Sequence, residues 1–316
     1  MTKIFKFIQK TCQFRLKSIK FWLKSQQPSF RLTTNTTFLG LAMTILLSGC
    51  SHLSGGILHP KGFIASQEKT LMLDSIALML IVVIPVIIMS LAFAFRYRAK
   101  NNNNSTYKPN WSHSLFLESI WWGIPCIIIV VLGIMTWRST HKLDPYRPLD
   151  MPGKPILVEA VALEWKWLFI YPKQKIATLN YLTLPKNRQV EFWITSDAPM
   201  SSFFIPQLAS QIYAMAGMRT RLHLVANQEG VYQGLNSQYN GDGFSEMKFK
   251  VKVTSQVNFN KWVNSVKQSK LTLNIPEYQK IVKPTKANPA ELYGSVVPKL
   301  FNRIMMQYRK PNMDLH

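Results

Sequence analysis

Two long apolar runs organise the front half of the chain. Residues 71–95 carry one charge, Asp74 near one end, and residues 115–137 carry one, Glu118 near the start. A helix needs roughly 20 apolar residues to cross a bilayer core, so each run predicts a membrane span, and together they predict a hairpin. Pro85 inside the first run is tolerable, because membrane helices accept proline more readily than soluble ones. Trp121, Trp122 and Trp137 lie near the ends of the second run, as an interfacial aromatic belt would. After residue 150 the period changes. Residues 247–253 alternate apolar side chains with Lys248, Lys250 and Lys252. Arg219, Arg221 and His223 alternate with Leu222, Leu224 and Ala226, and Val190, Phe192 and Ile194 form a third such face. Period two with Gly and Pro punctuation predicts an all-β domain over 150–255, a sandwich or barrel, with His223 on a polar strand face. Residues 256–316 predict a loose helical tail with Leu300, Phe301, Ile304 and Met305 on one face.

A shorter apolar run at 38–47 cannot span a bilayer. It follows a basic region with eight Lys or Arg and no acid over residues 1–49, and it precedes Ser48, Gly49 and Cys50. Basic region, apolar run and small-residue site predict a secretory signal. Residues 47–50 resemble the bacterial lipoprotein processing box, which implies removal of 1–49 and a lipid anchor on Cys50. Residues 50–70 then form an external linker. Arg96, Arg98, Lys100 and Lys108 fill the connection between the spans with no acid, which marks it as cytoplasmic. An external Cys50 therefore sends the first span inward, the second outward, and everything after residue 138 outside.

The net charge of +23 would suit a nucleic-acid partner, but the apolar runs direct the basic flanks to a membrane instead, so no nucleic acid is expected. Cys12, Cys50 and Cys126 are the three cysteines. None follows residue 126, so the β domain has no disulfide and no thiolate metal ligand of its own.

Two helices followed by an external β domain is the plan of subunit II of the haem–copper oxidases. Residues 118–125 resemble that family's Glu-containing start of the second helix, with Pro125 seven positions after Glu118. Residues 164–172, with Trp165 and Trp167, resemble its aromatic segment, and residues 201–206 and 211–218 resemble later blocks in the same order. The resemblance covers about residues 45–310 and implies a cupredoxin-like β-sandwich or barrel. In the cytochrome c branch this domain holds two coppers through a Cys-x-Glu-x-Cys-x-x-x-His-x-x-Met pattern and an upstream histidine. The equivalent stretch here is 236–247. Asn236 and Asn240 stand at the cysteine positions, Gln238 at the glutamate and Phe244 at the histidine; Met247 alone keeps its type. Ser201 stands where the upstream histidine would be. Amides do not replace soft bridging thiolates, so no metal is expected on this chain.

That departure resembles the copper-lacking quinol oxidase branch, of the cytochrome bo type, and residues 165–180 are also close to that branch. The resemblance implies an α+β membrane protein of the bacterial inner membrane and a scaffolding subunit of a proton-pumping ubiquinol:oxygen oxidoreductase. Its haems and copper, and the chemistry on ubiquinol, would lie on a large subunit I, beside other oxidase subunits. Glu118 would sit at the mouth of a proton channel into that subunit; the plainer reading is a carboxylate reaching the interface. Trp165 and Trp167 read as packing residues rather than an electron-entry pair, and His223 has no second ligand at useful spacing. Asp74 reads as interfacial, with a neighbouring helix as its alternative. Two other functions stay open at this point: a cytochrome c oxidase subunit II, and an independent membrane-anchored binding lipoprotein.

Overall fold

The computed structural model describes residues 56–98 and 112–308. The basic extension, the 38–47 run, Cys50 and most of the connection between the spans lie outside the described residues. Helix α1 runs Phe63–Arg96 and α2 runs Leu115–Lys142. Both helices exceed the apolar runs that predicted them. At 1.5 Å per residue, the 34 residues of α1 reach ~51 Å, well beyond a ~30 Å hydrocarbon layer. The excess lies at the N-terminal end, so the linker expected over 50–70 is helical from Phe63 onward.

That extension docks on the β domain. The amides of Lys61 and Gly62 donate to the Gln207 carbonyl at 2.7 and 3.0 Å, and Asn227 N donates to the Lys61 carbonyl at 2.8 Å. Ile64 and Ala65 are buried there, and Ser210 Oγ donates to the Glu68 carboxylate. Gly62 has no substitute, because a Cβ on it would stand 2.2 Å from the Leu208 carbonyl oxygen. The rest of the hairpin is bare: Ile81, Ile88, Phe95, Ile127 and Ile129 are all exposed, and Ile128 is the one buried apolar residue within α2.

The domain strands are β1 (Ile156–Leu163), β2 (Lys166–Tyr171), β3 (Ile176–Leu179), β4 (Tyr181–Pro185), β5 (Gln189–Ser196), β6 (Ser201–Ile205) and β7 (Ala209–Ala214). They continue as β8 (Thr220–Val225), β9 (Gly230–Asn236) and β10 (Lys248–Thr254). Then come α3 (Gln256–Lys267), β11 (Thr272–Leu273), α4 (Ile275–Ile281), β12 (Glu291–Tyr293), β13 (Ser295–Val296) and α5 (Leu300–Met306). A six-stranded sheet, β12-β3-β2-β1-β5-β8, faces a five-stranded sheet, β4-β10-β9-β6-β7. Asn180 turns the chain from the first sheet into the second. It holds φ +52°, a conformation that asparagine tolerates, while its Oδ1 accepts from Trp167 N at 2.8 Å.

Lys248, Lys250 and Lys252 face outward and Phe249, Val251 and Val253 inward, as the alternation predicts. Between the sheets, Phe203 lies 5.3 Å from Trp167, from Phe192 and from Phe249, ring centre to ring centre. Gly234 pairs with Phe249 across β9 and β10, and a Cβ there would meet the ring at 2.0 Å.

The C-terminal segment is helical but not loose. Leu273, Tyr278, Ile281, Tyr293, Leu300, Phe301 and Ile304 form a second core against Val161, Leu163, Leu168 and Ile170 on the outer face of the six-stranded sheet. Period reading missed this because β1 and β2 are apolar on both faces and so show no alternation. His223 is likewise buried rather than on a polar face. The chain leaving α2 lies over it, with His223 N donating to the Pro145 carbonyl at 3.2 Å. With the Gln189 amide oriented so that its oxygen accepts from His223 Nδ1 (3.0 Å) and Leu149 N (3.1 Å), its nitrogen donates to Leu149 O at 2.9 Å. Burial pushes the His223 pKa down, against the nearby Glu191.

The second core makes the C-terminal segment part of the folded unit. Phe301→Ala is expected to cost about 3–5 kcal/mol, the range for a buried Phe truncated to Ala. Denaturant unfolding of the full chain in detergent, followed by tryptophan fluorescence, reads this; a loose tail would give no change.

Candidate functional site

Strand β9 ends at Asn236 and β10 begins at Lys248, and the chain between them makes a loop and one 3-10 turn, Phe244–Glu246. The start of β6 lies beside this loop. Asn236 and Ser201 are buried, as is Met247, which is fully enclosed.

The Asn236 side chain is satisfied by backbone alone. Its Oδ1 accepts from Ser202 N at 2.7 Å and Gln238 N at 3.1 Å, and its Nδ2 donates to the Gln238 carbonyl at 2.7 Å. It therefore ties the loop to β6 and to itself, the kind of local side-chain turn that asparagine favours. Gln238 contributes its backbone to this turn.

Asn240 takes the centre. Its Nδ2 lies 3.1 Å from Ser201 Oγ and 3.3 Å from Met247 Sδ, as donor to both. Ser201 Oγ in turn donates to the Pro199 carbonyl at 3.1 Å. Asn240 Oδ1 is buried and has no hydrogen-bond partner among the described residues. Phe244 stands aside from this group, half-buried, and packs on Tyr239 with ring centres 5.7 Å apart.

The structure thus brings Ser201, Asn240 and Met247 into contact, places Asn236 and Gln238 alongside, and leaves Phe244 out. The donor set is two amides, a hydroxyl and one thioether, with no thiolate and no imidazole. That set does not fit a thiolate-bridged copper centre. Among the described residues, no group of three or more His, Cys, Asp or Glu could hold a metal ion.

Two features of the site are visible only in the structure, namely what Trp165, a packing residue by sequence, packs against, and the cluster around Asp197. The first is Trp165, held at φ +60°. Its Nε1 donates to the Asn240 carbonyl at 3.3 Å, and its ring fills the space over Gly243, where a Cβ would come within 2.3 Å. Trp167, by contrast, is a core residue. The second is Asp197, which lies just before Ser201. Its carboxylate accepts from Tyr278, Gln307 and Tyr308, the last at 2.5 Å. Burial and the adjacent carboxylate push the Tyr308 phenol up to about 12 and the Tyr278 phenol well above its ordinary value. Its partners lie 81 to 111 positions downstream, so no local pattern announces them.

Glu118 sits in the first turn of α2, half-exposed, with its amide donating to the Ser114 carbonyl at 2.9 Å. A carboxylate suits that end of the helix dipole. Asp74 lines a cleft between α1 and α2 with Arg138 and Lys142. His141 packs on Trp137, with ring centres 4.4 Å apart.

Comparison with family models agrees with this architecture. The family model for the periplasmic domain of cytochrome c oxidase subunit II matches residues 156–254, the span from the start of β1 to the end of β10. The cytochrome oxidase aromatic-rich motif matches 267–312, the segment that builds the second core. Among solved structures, the periplasmic domain of subunit II of cytochrome oxidase from Bradyrhizobium japonicum is 19% identical, with a TM-score of 0.35, over 36% of this chain and 95% of that one. Among curated relatives, the cytochrome bo(3) ubiquinol oxidase subunit 2 of Pseudomonas aeruginosa is 52% identical over 271 residues, 86% of this chain and 81% of that protein. The ubiquinol oxidase subunit 2 of Acetobacter aceti is 47% identical over 85% of this chain and 87% of its own length. With two bilayer-length helices, a matching periplasmic domain and relatives this similar over most of their length, the chain belongs to the ubiquinol oxidase subunit 2 family.

Proposed function

We propose that this chain is subunit II of a terminal respiratory ubiquinol oxidase, a complex that oxidises quinol, reduces oxygen and pumps protons, and that it serves there as scaffold and outer cover. One observation carries the reading. Asn240 joins Ser201 to Met247 at the positions where the cytochrome c branch would hold copper, and amides stand in place of thiolates at Asn236 and Asn240. A soluble one-electron donor then has no acceptor on this chain, and electrons enter the complex from membrane quinol. The haems and copper belong to the large subunit I, which also covers the bare faces of α1 and α2. Relatives named as ubiquinol oxidase subunits support the same reading.

The topology follows from charge and from the family. The β domain lies on the periplasmic side of the bacterial inner membrane, Arg96 and Arg98 lie on the cytoplasmic side, and Cys50 carries a lipid after removal of residues 1–49. Glu118, at the cytoplasmic start of α2, takes up protons for the large subunit. Glu118 stands in the first turn of the span, and an ionisable residue within a membrane segment is a functional candidate by default.

The complex that co-purifies with a tagged form of this chain is expected to consume oxygen with ubiquinol and not with reduced cytochrome c. Uptake with cytochrome c would overturn the copper-free reading, and uptake with neither would return the chain to an independent lipoprotein. Glu118→Gln is expected to lower quinol-driven oxygen uptake by about 10²-fold, the lower end of the range for a positioned proton-transfer group. Haem content should stay unchanged and Glu118→Asp should recover part of the rate; full activity in Glu118→Gln would end the proton-entry role. Metabolic labelling with radioactive palmitate should mark the chain and leave Cys50→Ser unmarked; equal labelling of both would remove the anchor.

A further inference from the structure

Near the β-domain end of the hairpin, α1 and α2 border a cleft of about 340 Å³. Gln67, Leu71 and Asp74 line it from α1, and Met135, Arg138 and Lys142 from α2. Its level relative to a bilayer can be read from its neighbours. Trp137, next to Arg138, is 69% exposed, as an interfacial tryptophan is. Five residues further along, α2 ends and the chain turns toward the β domain. On α1, Glu68, six residues before Asp74, is already bonded to β7 through Ser210. The cleft therefore lies at headgroup depth on the β-domain side, with Leu71 and Met135 as apolar lining.

Its charges are unusual for that position. Lys142 Nζ donates to Gln67 Oε1 at 3.2 Å. Among the described residues, neither the Asp74 carboxylate nor the Arg138 guanidinium has an ion-pair or side-chain hydrogen-bond partner. Two cations and one carboxylate thus share a half-apolar cleft without neutralising one another at contact distance. A purely anionic ligand would satisfy Arg138 and Lys142 but meet Asp74 with like charge. A ligand with a phosphate and an ammonium a few atoms apart satisfies all three, because guanidinium and lysine ammonium groups bind phosphate oxygens while a carboxylate accepts from an amine.

We infer that this cleft is a binding site for one amine-bearing phospholipid, with its phosphate on Arg138 and Lys142, its ammonium on Asp74 and its acyl chains along Leu71 and Met135. The lipid fills the gap between the two helices where they enter the β domain. This site goes beyond the oxidase reading and is independent of it, since it needs only the two spans and the docked β domain.

Native mass spectrometry of the full chain in detergent micelles tests it. The probes are phosphatidylethanolamine and phosphatidylglycerol, equimolar and distinguished by deuterated acyl chains. The wild-type chain should retain one phosphatidylethanolamine in roughly fivefold or greater preference, since charge-assisted hydrogen bonds set the difference. Arg138→Gln with Lys142→Gln should lose both lipids. Asp74→Asn should keep binding but lose the preference, and Lys250→Gln, on the exposed face of β10, should behave as wild type. Retention of neither lipid by the wild type, equal retention of both, or the same pattern in the Asp74 and Arg138 variants would overturn the site. Lipid retention reads no electron transfer, so this result and the oxidase assay fail separately.

Discussion

The side chains of β2 point alternately into two cores, and the molecule is arranged to cover both. Trp167, Phe169 and Tyr171 enter the space between the sheets, where Phe192, Phe203 and Phe249 close around them. Leu168 and Ile170 point the other way, beneath Tyr278, Tyr293 and Phe301. A strand buried on both faces needs a layer on each side, since every exposed apolar side chain forfeits on the order of 1.5–3 kcal/mol. This is the physical reason the aromatic-rich segment stays attached to the domain. It also accounts for Lys166, whose buried ammonium donates to the Lys283 carbonyl and to Thr285 of that segment.

The same packing holds the loop between β9 and β10. A metal bridged by thiolates would fix such a loop by strong bonds. Here three weaker contacts hold it together, namely the Asn236 turn, the Asn240 amide on Ser201 and Met247, and the Trp165 ring over Gly243. Each neutral hydrogen bond contributes only about 1 kcal/mol net, so the closed loop depends on several acting together. The Asp197 clasp adds to this from outside, because it ties the chain just ahead of Ser201 to the C-terminal segment. The two cores and the loop around Asn240 are therefore coupled through residues 197–202.

The junction between membrane and domain follows a different rule. Backbone hydrogen bonds from residues 61 and 62, and a glycine with no room for a Cβ, fix the entry to α1 rigidly. On the other side the chain after α2 seals His223. Below that junction the helices touch sparsely, and their apolar side chains are exposed. A hairpin built this way depends on lipid and a neighbouring subunit to complete its packing, since water offers it no stable alternative. Close attachment above and open faces below suit a subunit of an oxidase complex.

The sequence alone determined the two spans, because their apolar length is a property of consecutive residues. It determined the outward lysines of β10, since period two is equally local. The lack of a thiolate in the β domain was also legible, because no cysteine follows Cys126. Tertiary structure decided the rest. Strands β1 and β2 carry no alternation, so their second buried face, and with it the packed tail, appears only once residues 273–304 fold back over them. His223 looked polar by period, and its burial comes from a loop 78 positions earlier in the chain, at Pro145. Asp74 and Arg138 belong to different helices, and only the pairing of α1 with α2 puts both in one cleft. Local periodicity records what each residue's neighbours in sequence require, whereas these contacts join residues whose separation along the chain leaves no periodic trace.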